Sequence, residues 1–365
     1  MAYVAARGGE NAIIESEQLF HDLNGPLTAE KVRVIMETVP YLLDRVMGEA
    51  SLYAPELAAL AIAQSGGELY EAALLLRAYR TTQPRLEYAA VTEQGEMLTV
   101  RRISAAFKDI PGGQVLGPTL DYSHRVLNLG VLTGEGAVRH EATPAPEAAQ
   151  PTYPALADWQ RKVGLLPEVT PDTRTGHSVP DLTREPLLFP PARAHELQGL
   201  ARADTGGLLT LGYSIMRGYG LIHPTVNEVR LGYAEVNLTH PATGVAFSAG
   251  RVRVSQAEIV TEFAGDSKTP ELALGFCATL GWNEVKVIAG GTLDMNMQKA
   301  ADHGEKHPAH TPEFVLYHTE TVEASGFCIH FKLPHYVTFQ SALDAMRQVR
   351  GNPQGVNLPG SEVPA

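Results

Sequence analysis

The 365-residue sequence predicts an α+β fold with an N-terminal helical region, a central antiparallel sheet and flanking helices. Apolar residues recur at helical spacing through residues 28–81, which indicates amphipathic helices that each bury one face. Apolar and polar residues alternate through residues 228–237 and 245–263, as they do in antiparallel strands with one buried face. The sequence shows no alternating strand–helix pattern with a Rossmann fingerprint, so it disfavours a doubly wound parallel sheet.

The N-terminal region opens with residues 3–14, which predict a short strand, a glycine turn and the start of a helix. Thr28 is the expected N-cap of the next helix, and Pro40 should kink or split that helix because proline has no amide N–H. Pro55 fits the first turn of a further helix that ends at a pair of glycines. Residues 68–81 predict the last helix of this region.

The stretch that follows combines several features of an anion-binding site. Residues 97–107 predict a strand, a loop rich in glycine and proline comes next, and a helix is expected to begin near Asp121. The loop lacks the Gly-Lys-Ser/Thr of a P-loop, and a tight connection with a capped helix explains the pattern equally well. The basic, acidic and glycine residues that coincide here are Arg101, Arg102, Lys108, Asp109, Gly112, Gly113, Asp121 and His124.

The second half of the chain predicts helices at residues 194–202 and 207–216, and a hairpin turn at residues 241–244. Arg217, Tyr219 and His223 follow the second helix; a C-cap and turn explain this stretch, and a pocket in which tyrosine stacks on a base is the alternative. The remaining predictions are a loop at residues 265–270, a helix at 283–298 interrupted by Gly290-Gly291, a helix from Pro312 to Gly326, and a helix at 337–350.

Near the C-terminus, His330 and His335 flank Pro334. On a continuous helix their rings would point about 140° apart, but Pro334 disfavours such a helix, and a turn there can bring both rings to one point. Neutral imidazole is a common zinc ligand. A metal site and two hydrogen-bonded rings in a packed turn both fit this spacing.

The sequence therefore predicts that the chain has four parts. Residues 1–133 form the helical region with its glycine-rich loop, and residues 134–180 form a linker and long loop rich in alanine, proline and glutamate. Residues 181–350 form an α+β region with antiparallel hairpins and the C-terminal histidine motif. Residues 351–365 form a flexible tail.

Composition narrows the class of protein. A net charge of −12 argues against nucleic acid as a partner, whereas a small phosphorylated ligand needs only a local basic pocket. Cys277 and Cys328 provide no disulfide framework, which suits a reducing cytoplasm. Since no signal peptide and no run of about 20 apolar residues is present, we expect a cytoplasmic chain without a membrane partner.

Several long motifs resemble the PhnI family, a subunit of the bacterial carbon–phosphorus lyase system for phosphonate use. They include LLLRAYRTT, RRISA, KDIPGGQVLGPT, RGYGLIHP and GFCIHFKLPHYV. The resemblance is thin over residues 134–168 and in a loop expected at residues 265–274, and Gly275-Phe-Cys stands where the family suggests Gly-Tyr-Gly.

The resemblance implies a subunit of alpha-D-ribose 1-methylphosphonate 5-triphosphate synthase, which displaces adenine from ATP with an alkylphosphonate. It implies purine nucleosidase activity of the isolated chain, and partners that include other carbon–phosphorus lyase subunits and the radical subunit that breaks the carbon–phosphorus bond. It also implies a metal, expected to be zinc, at a subunit interface, held in part by His330 and His335.

Cleavage of an N-glycosidic bond builds positive charge on ribose, so the site needs a carboxylate, a proton donor or hydrogen bonds for the purine, and donors for the triphosphate. Residues 101–124 offer all three kinds of group. The predicted catalytic residues are Asp109, Asp121 and His124. The predicted substrate-binding residues are Arg101, Arg102, Lys108, Gly112, Gly113, Arg217, Tyr219 and His223. The alternative is a non-catalytic scaffold that lends metal ligands to a shared site.

Overall fold

The computed structural model describes residues 9–135, 152–170, 173–174, 178–219, 223–264, 270–333 and 335–351, without the side chains of 219, 262–264, 302 and 303. The chain divides into two compact units, one made of Met1–Leu27 with Glu323–Ala365 and the other of Thr28–Val322. The predicted boundaries at 133/134 and 180/181 fall inside the second unit. The opening strand at residues 3–8, most of the linker and nearly all of the tail lie outside the described residues.

The described elements confirm the α+β class. The helices are α1 (Gly9–Asn24), α2 (Ala29–Thr38), α3 (Pro40–Ala50), α4 (Pro55–Gln64), α5 (Leu69–Thr81), α6 (Leu156–Lys162), α7 (Arg193–Arg202), α8 (Thr205–Ser214), α9 (Glu284–His303), α10 (Pro312–His318), α11 (Thr321–His330) and α12 (Tyr336–Val349). The strands are β1 (Leu98–Ile103), β2 (Thr225–Thr239), β3 (Ala246–Ala264) and β4 (Glu271–Leu280), which form one antiparallel sheet in the order β1-β2-β3-β4.

Local rules place the helices α2 to α5 as predicted. The hydroxyl of Thr28 accepts a hydrogen bond from the Lys31 amide at 3.1 Å and caps α2. Pro40 separates α2 from α3, and Pro55 occupies the first turn of α4. Helices α3 to α5 share a core of ten buried apolar side chains, including Leu43, and α2 packs partly buried side chains against it.

The sheet has two different buried faces. Successive residues of a strand point to opposite sides, so Val229 and Ile259 face α9 while Glu228 and Glu258 face the other side. The α9 face joins the main apolar core. The opposite face carries buried charged and amide side chains, which the sequence analysis did not anticipate.

Two predictions about glycine-containing stretches were wrong. The loop predicted at residues 265–270 lies outside the described residues except for Pro270, but the extension of that loop to residue 274 is wrong because β4 begins at Glu271. Gly290-Gly291 does not interrupt α9. A Cβ on Gly275 would lie 2.2 Å from the Gly291 carbonyl oxygen, and one on Gly290 would lie 2.5 Å from the sulfur of Cys277. These glycines let α9 and β4 approach closely, which outweighs their low intrinsic preference for helix and strand.

Two helix boundaries also differ from prediction. No helix begins at Asp121; the segment forms turns and a short 3-10 helix at Leu129–Thr133, and Val126 and Leu127 remain exposed. A short helix without an apolar face to bury gains too little from packing to form. The helix expected from Pro312 to Gly326 is two helices, α10 and α11, separated by a break after His318.

Among the described residues, no single helix has the length and apolar composition needed to cross a membrane. The pair α3 and α4 meets that test only jointly, and the two helices are bent by 97°.

Candidate functional site

Arg101 and Arg102 lie on opposite faces of β1, so they cannot both contact one phosphate. Arg102 is fully buried on the charged face, where its Nε donates to Glu228. Its Nη1 donates to the carbonyls of Pro111 at 2.6 Å and Gly113 at 2.9 Å, and its Nη2 donates to that of Pro154 at 3.1 Å. The structure therefore gives Arg102 an internal supporting role, and we correct its assignment as a phosphate ligand.

Arg101 connects three segments near the α9 face. Its Nε donates to Glu284 in the first turn of α9, its Nη1 to the Leu116 carbonyl at 2.6 Å, and its Nη2 to Asp121 Oδ2 at 2.5 Å. Only 5 % of the Arg101 side chain is exposed, whereas half of the Asp121 side chain is. Arg101 thus fixes a carboxylate that solvent can reach, while its own donors are taken up by the protein.

The glycine-rich loop packs closely against β1. Gly112 and Gly113 have φ of +84° and +79°, where a side chain would be strained, and a Cβ on Gly117 would lie 2.0 Å from the Val100 carbonyl oxygen. The Gly113 amide donates to the Ile110 carbonyl at 2.8 Å. That amide is therefore already used within the turn and is not offered to a phosphate.

The other predicted residues of this segment are on the surface. Lys108, Asp109 and His124 have exposed side chains. The amides of Ala105 and Ala106 both donate to the Val226 carbonyl at 3.0 Å. These two hydrogen bonds hold the start of β2 beside residues 105–106, which lead to Lys108. His223 lies three residues before Val226 in the sequence.

Arg217 and Tyr219 lie in a π-helical turn, Ile215–Tyr219, at the end of α8. The guanidinium of Arg217 lies 5.9 Å from the centre of the Tyr213 ring, a local contact on the same helix. The side chain of Tyr219 is outside the described part of the structure, so its predicted stacking role stays a prediction.

A buried polar layer underlies the loop and was missed by the sequence analysis. The Glu228 carboxylate accepts from Arg102 and also from Arg230 at 2.9 Å, and all three side chains are fully buried. Asn227 donates to Glu258 at 2.8 Å and exchanges two hydrogen bonds with Gln160. The available signal was the alternation of the charged residues Glu228 and Arg230 with the apolar residues Val229 and Leu231 in β2.

Glu258 should make folding stability depend on pH. Burial, and next the charge of Glu228, raise the pKa of Glu258 from 4.5 to about 7. The folded state then holds a proton that the unfolded chain has lost, so this carboxyl lowers stability as pH rises from about 4.5 to about 7. We expect Glu258→Gln to remove that loss and to raise the free energy of unfolding above pH 7 by about 2–3 kcal/mol.

Urea unfolding between pH 5 and pH 8 measures this effect, with Glu56→Gln on the exposed surface of α4 as the matched control. The control should follow the wild-type profile. If Glu258→Gln runs parallel to wild type over the whole range, Glu258 does not titrate as stated.

The two C-terminal histidines meet across a turn. His330 ends α11, residues 331–333 turn, and His335 precedes α12. Their Nε2 atoms lie 3.2 Å apart, and His335 Nδ1 lies 2.6 Å from the Leu333 carbonyl oxygen. With Nδ1–H donating to that carbonyl, Nε2 of a neutral His335 carries the lone pair that a metal requires.

Among the described residues, no group of three or more histidine, cysteine or acidic side chains is arranged to hold a metal. The pair of histidines by itself supplies two nitrogen ligands. A tetrahedral zinc with Zn–N bonds of about 2.05 Å holds two such ligands about 3.3 Å apart, so the observed spacing fits.

Comparison with known protein families gives a match over residues 2–353 to the family described as bacterial phosphonate metabolism protein (PhnI). The chain belongs to the PhnI family. The resemblance carried by the sequence motifs is thereby confirmed over nearly the whole chain.

Three curated relatives of this PhnI-family chain are similar over 95% of its length. HtxH of Stutzerimonas stutzeri, provisionally named a C-P lyase subunit protein, is 45% identical over 360 residues, which is 95% of that protein. Subunit PhnI of alpha-D-ribose 1-methylphosphonate 5-triphosphate synthase is 42% identical over 356 residues in Rhizobium meliloti, covering 95% of that protein. The subunit of the same name in Escherichia coli is 38% identical over 354 residues, covering 98%.

Proposed function

We propose that this chain is a subunit of alpha-D-ribose 1-methylphosphonate 5-triphosphate synthase, in which adenine is displaced from ATP by an alkylphosphonate. The observation that carries the proposal is the end-to-end similarity to two relatives with that name, at 42% and 38% identity. The relatives are named as subunits, so we propose that the reaction takes place with partner chains of the carbon–phosphorus lyase system, among them its radical subunit.

For the chemistry we propose the surface around Asp121. As the N-glycosidic bond breaks, positive charge develops on the ribose ring, and a fixed carboxylate stabilises it. Asp121 suits this role because Arg101 holds Oδ2 while the side chain remains half exposed. Asp109 is the second candidate, in an exposed position in the same loop.

The remaining groups are proposed for binding and proton transfer. Lys108 and the Gly112 amide are retained for phosphate, with Arg217, Tyr219 and His223 as further substrate contacts. His124 is exposed close to Asp121 in sequence and is the proposed proton donor to the departing purine. Arg101 is proposed as a positioning residue for Asp121, and Arg102 and Gly113 are not retained as ligands.

Purine release by the purified chain tests the proposal. We expect free adenine from ATP without any partner, which is purine nucleosidase activity, and we expect partner chains with methylphosphonate to redirect the reaction to the ribose phosphonate. A scaffold that only positions partners releases no purine. If the isolated chain and the chain with its partners both leave the glycosidic bond intact, the enzymatic role is wrong.

We propose that His330 and His335 hold zinc together with ligands from a partner chain. The fit rests on the 3.2 Å separation of the two Nε2 atoms and on the hydrogen bond that fixes the His335 tautomer. When bound, zinc supplies a cross-link between chains at this turn.

His330→Ala should lower the zinc content of the assembled complex, because one nitrogen cannot replace the pair. Elemental analysis of the purified complex gives the measurement, with His21→Ala on exposed α1 as the control. An unchanged ratio of zinc to protein in His330→Ala would refute the assignment.

We place the protein in the cytoplasm, where ATP is available. Both cysteines are free, Cys277 buried and Cys328 exposed, as expected for a chain kept under reducing conditions.

A further inference from the structure

A cavity of about 600 Å³ in the Thr28–Val322 unit is lined mainly by the end of α5, the chain that follows it, and the end of β2. Its volume lies within the range of small-molecule pockets. Three arginines line it, Arg80, Arg85 and Arg184, against one carboxylate, Glu87. The motif LLLRAYRTT, which the proposed function leaves unused, supplies Arg80.

The three guanidinium groups are held in different ways. Arg80 donates to the Ala50 carbonyl at 2.7 Å. Arg85 donates to Asp181 and to the Thr183 hydroxyl, each at 2.9 Å. Arg184 is exposed and has no side-chain partner among the residues that the structure describes. Two fixed cations and one adaptable cation therefore surround the same space.

Two further arginines lie behind Arg80. Arg77 and Arg202, whose charges act on Arg80, both form an ion pair with Glu320. Burial, followed by the positive charges of Arg202 and Arg77, lowers the pKa of Arg80 to about 10. Asp181, which pairs with Arg85, and Glu49, which acts on Arg77, offset part of this positive charge. The five arginines named here still outnumber the four carboxylates named with them, which favours an anion.

A second, smaller cavity of about 160 Å³ shares Ser51 and Thr183 with the first. Arg202 lines it, and the buried Nε of Arg202 has no hydrogen-bond partner among the described residues. A buried charged donor without an acceptor is costly, so a ligand oxygen or a water is expected to reach it.

The rest of the large cavity is apolar. Leu52, Leu86, Val236 and Leu238 contribute side chains to its wall. A ligand with a charged end and an apolar end matches a cavity with one basic and one apolar part. Its charged end contacts the arginines, and its apolar end is removed from water.

We propose that this cavity is a binding site for a small molecule carrying a phosphoryl or phosphonyl dianion, with Arg80, Arg85 and Arg184 as the ligands of its oxygens. Arginine suits tetrahedral oxyanions because its planar donors bind two oxygens at once. A phosphonate, a nucleotide triphosphate and inorganic phosphate share this chemistry. The inference concerns binding alone, and it holds whether or not Asp121 is catalytic.

Isothermal titration of the purified full-length chain with inorganic phosphate, methylphosphonate and ATP tests the site. Arg184→Gln removes the adaptable cation from an exposed position and should weaken binding of the preferred probe about tenfold or more. Arg80→Gln should weaken binding to a similar extent, provided that circular dichroism shows this variant to be folded. Arg33→Gln, on exposed α2 and paired there with Glu30 and Glu37, is the matched control and should keep the wild-type Kd.

Comparison of the three probes identifies which class of compound supplies the dianion that binds here. For binding that Arg184→Gln weakens, a higher affinity for methylphosphonate than for phosphate identifies a phosphonate site, and a response to ATP alone identifies a nucleotide site. Wild-type affinity of Arg184→Gln for every probe, or no binding by the wild-type chain, overturns the proposal. Asp121→Asn should keep the affinity at this cavity, so failure of the catalytic assignment is distinguishable from failure of this one.

Discussion

Asp121→Asn should lower the rate of purine release from ATP about 100-fold, because the amide cannot balance the positive charge that develops on ribose. Asparagine keeps the size of the side chain and an oxygen that accepts from Arg101, so the loop should stay in place. Arg101 also keeps its contacts with Glu284 and the Leu116 carbonyl. The predicted signature is therefore a fall in kcat with an unchanged Tm.

Chromatographic measurement of free adenine under saturating ATP gives kcat for each variant. Asp109→Asn is the competing variant, and Asp158→Asn, in a largely exposed position on α6, is the control that should retain wild-type release. A loss confined to Asp109→Asn would transfer the role to Asp109. Wild-type rates in both variants would discard the carboxylate assignment for this loop.

Arg102→Met should destabilise the folded chain by about 3–5 kcal/mol, the usual cost of removing one member of a buried ion pair. Methionine fills part of the space but removes one of the two cations that pair with Glu228 in the described part of the chain, leaving Arg230. It also leaves the carbonyls of Pro111 and Gly113 without the Arg102 donor that now reaches them, whereas the Pro154 carbonyl keeps its hydrogen bond from Arg230 Nη2 at 3.0 Å. The glycine-rich loop should be held less firmly at Pro111 and Gly113, while the two backbone hydrogen bonds between Arg102 and Val115 still join it to β1.

Urea unfolding, followed by tryptophan fluorescence, measures the change in free energy. Arg125→Met replaces an arginine whose side chain is 68% exposed, and it should stay within about 0.5 kcal/mol of wild type. Adding Glu228→Gln to Arg102→Met should restore part of the loss, because the unpaired buried charge is then removed. A loss below about 1 kcal/mol in Arg102→Met would show that the buried layer does not depend on Arg102.

The adjacent arginines of β1 show where sequence reasoning succeeds and where it stops. The sequence identified a strand followed by a glycine-rich loop with basic residues beside it, and β1 and that loop are present. It assigned both Arg101 and Arg102 to binding of the triphosphate. The pairing partner of Arg102 lies 126 positions later in the chain, and no local pattern around Arg102 identifies it.

The glycines show the same difference between what local sequence predicts and what packing between distant segments decides. The glycines after α4 end a helix, which local rules predicted. Gly275 and Gly290 instead sit where β4 and α9 touch, so their small size serves packing and does not break either element. Whether a glycine ends an element or allows two elements to approach depends on what lies across from it.

By itself, the sequence determined the caps and proline boundaries of α2 to α4, the β2–β3 hairpin and membership of the PhnI family. These depend on residues a few positions apart or on similarity along the whole chain. Only the tertiary structure decided that Arg102 supports the loop, that Arg101 holds Asp121, and that Arg80, Arg85 and Arg184 share a cavity. A charge taken out of water must find a partner or a ligand, and folding, which brings distant segments together, determines which one it finds.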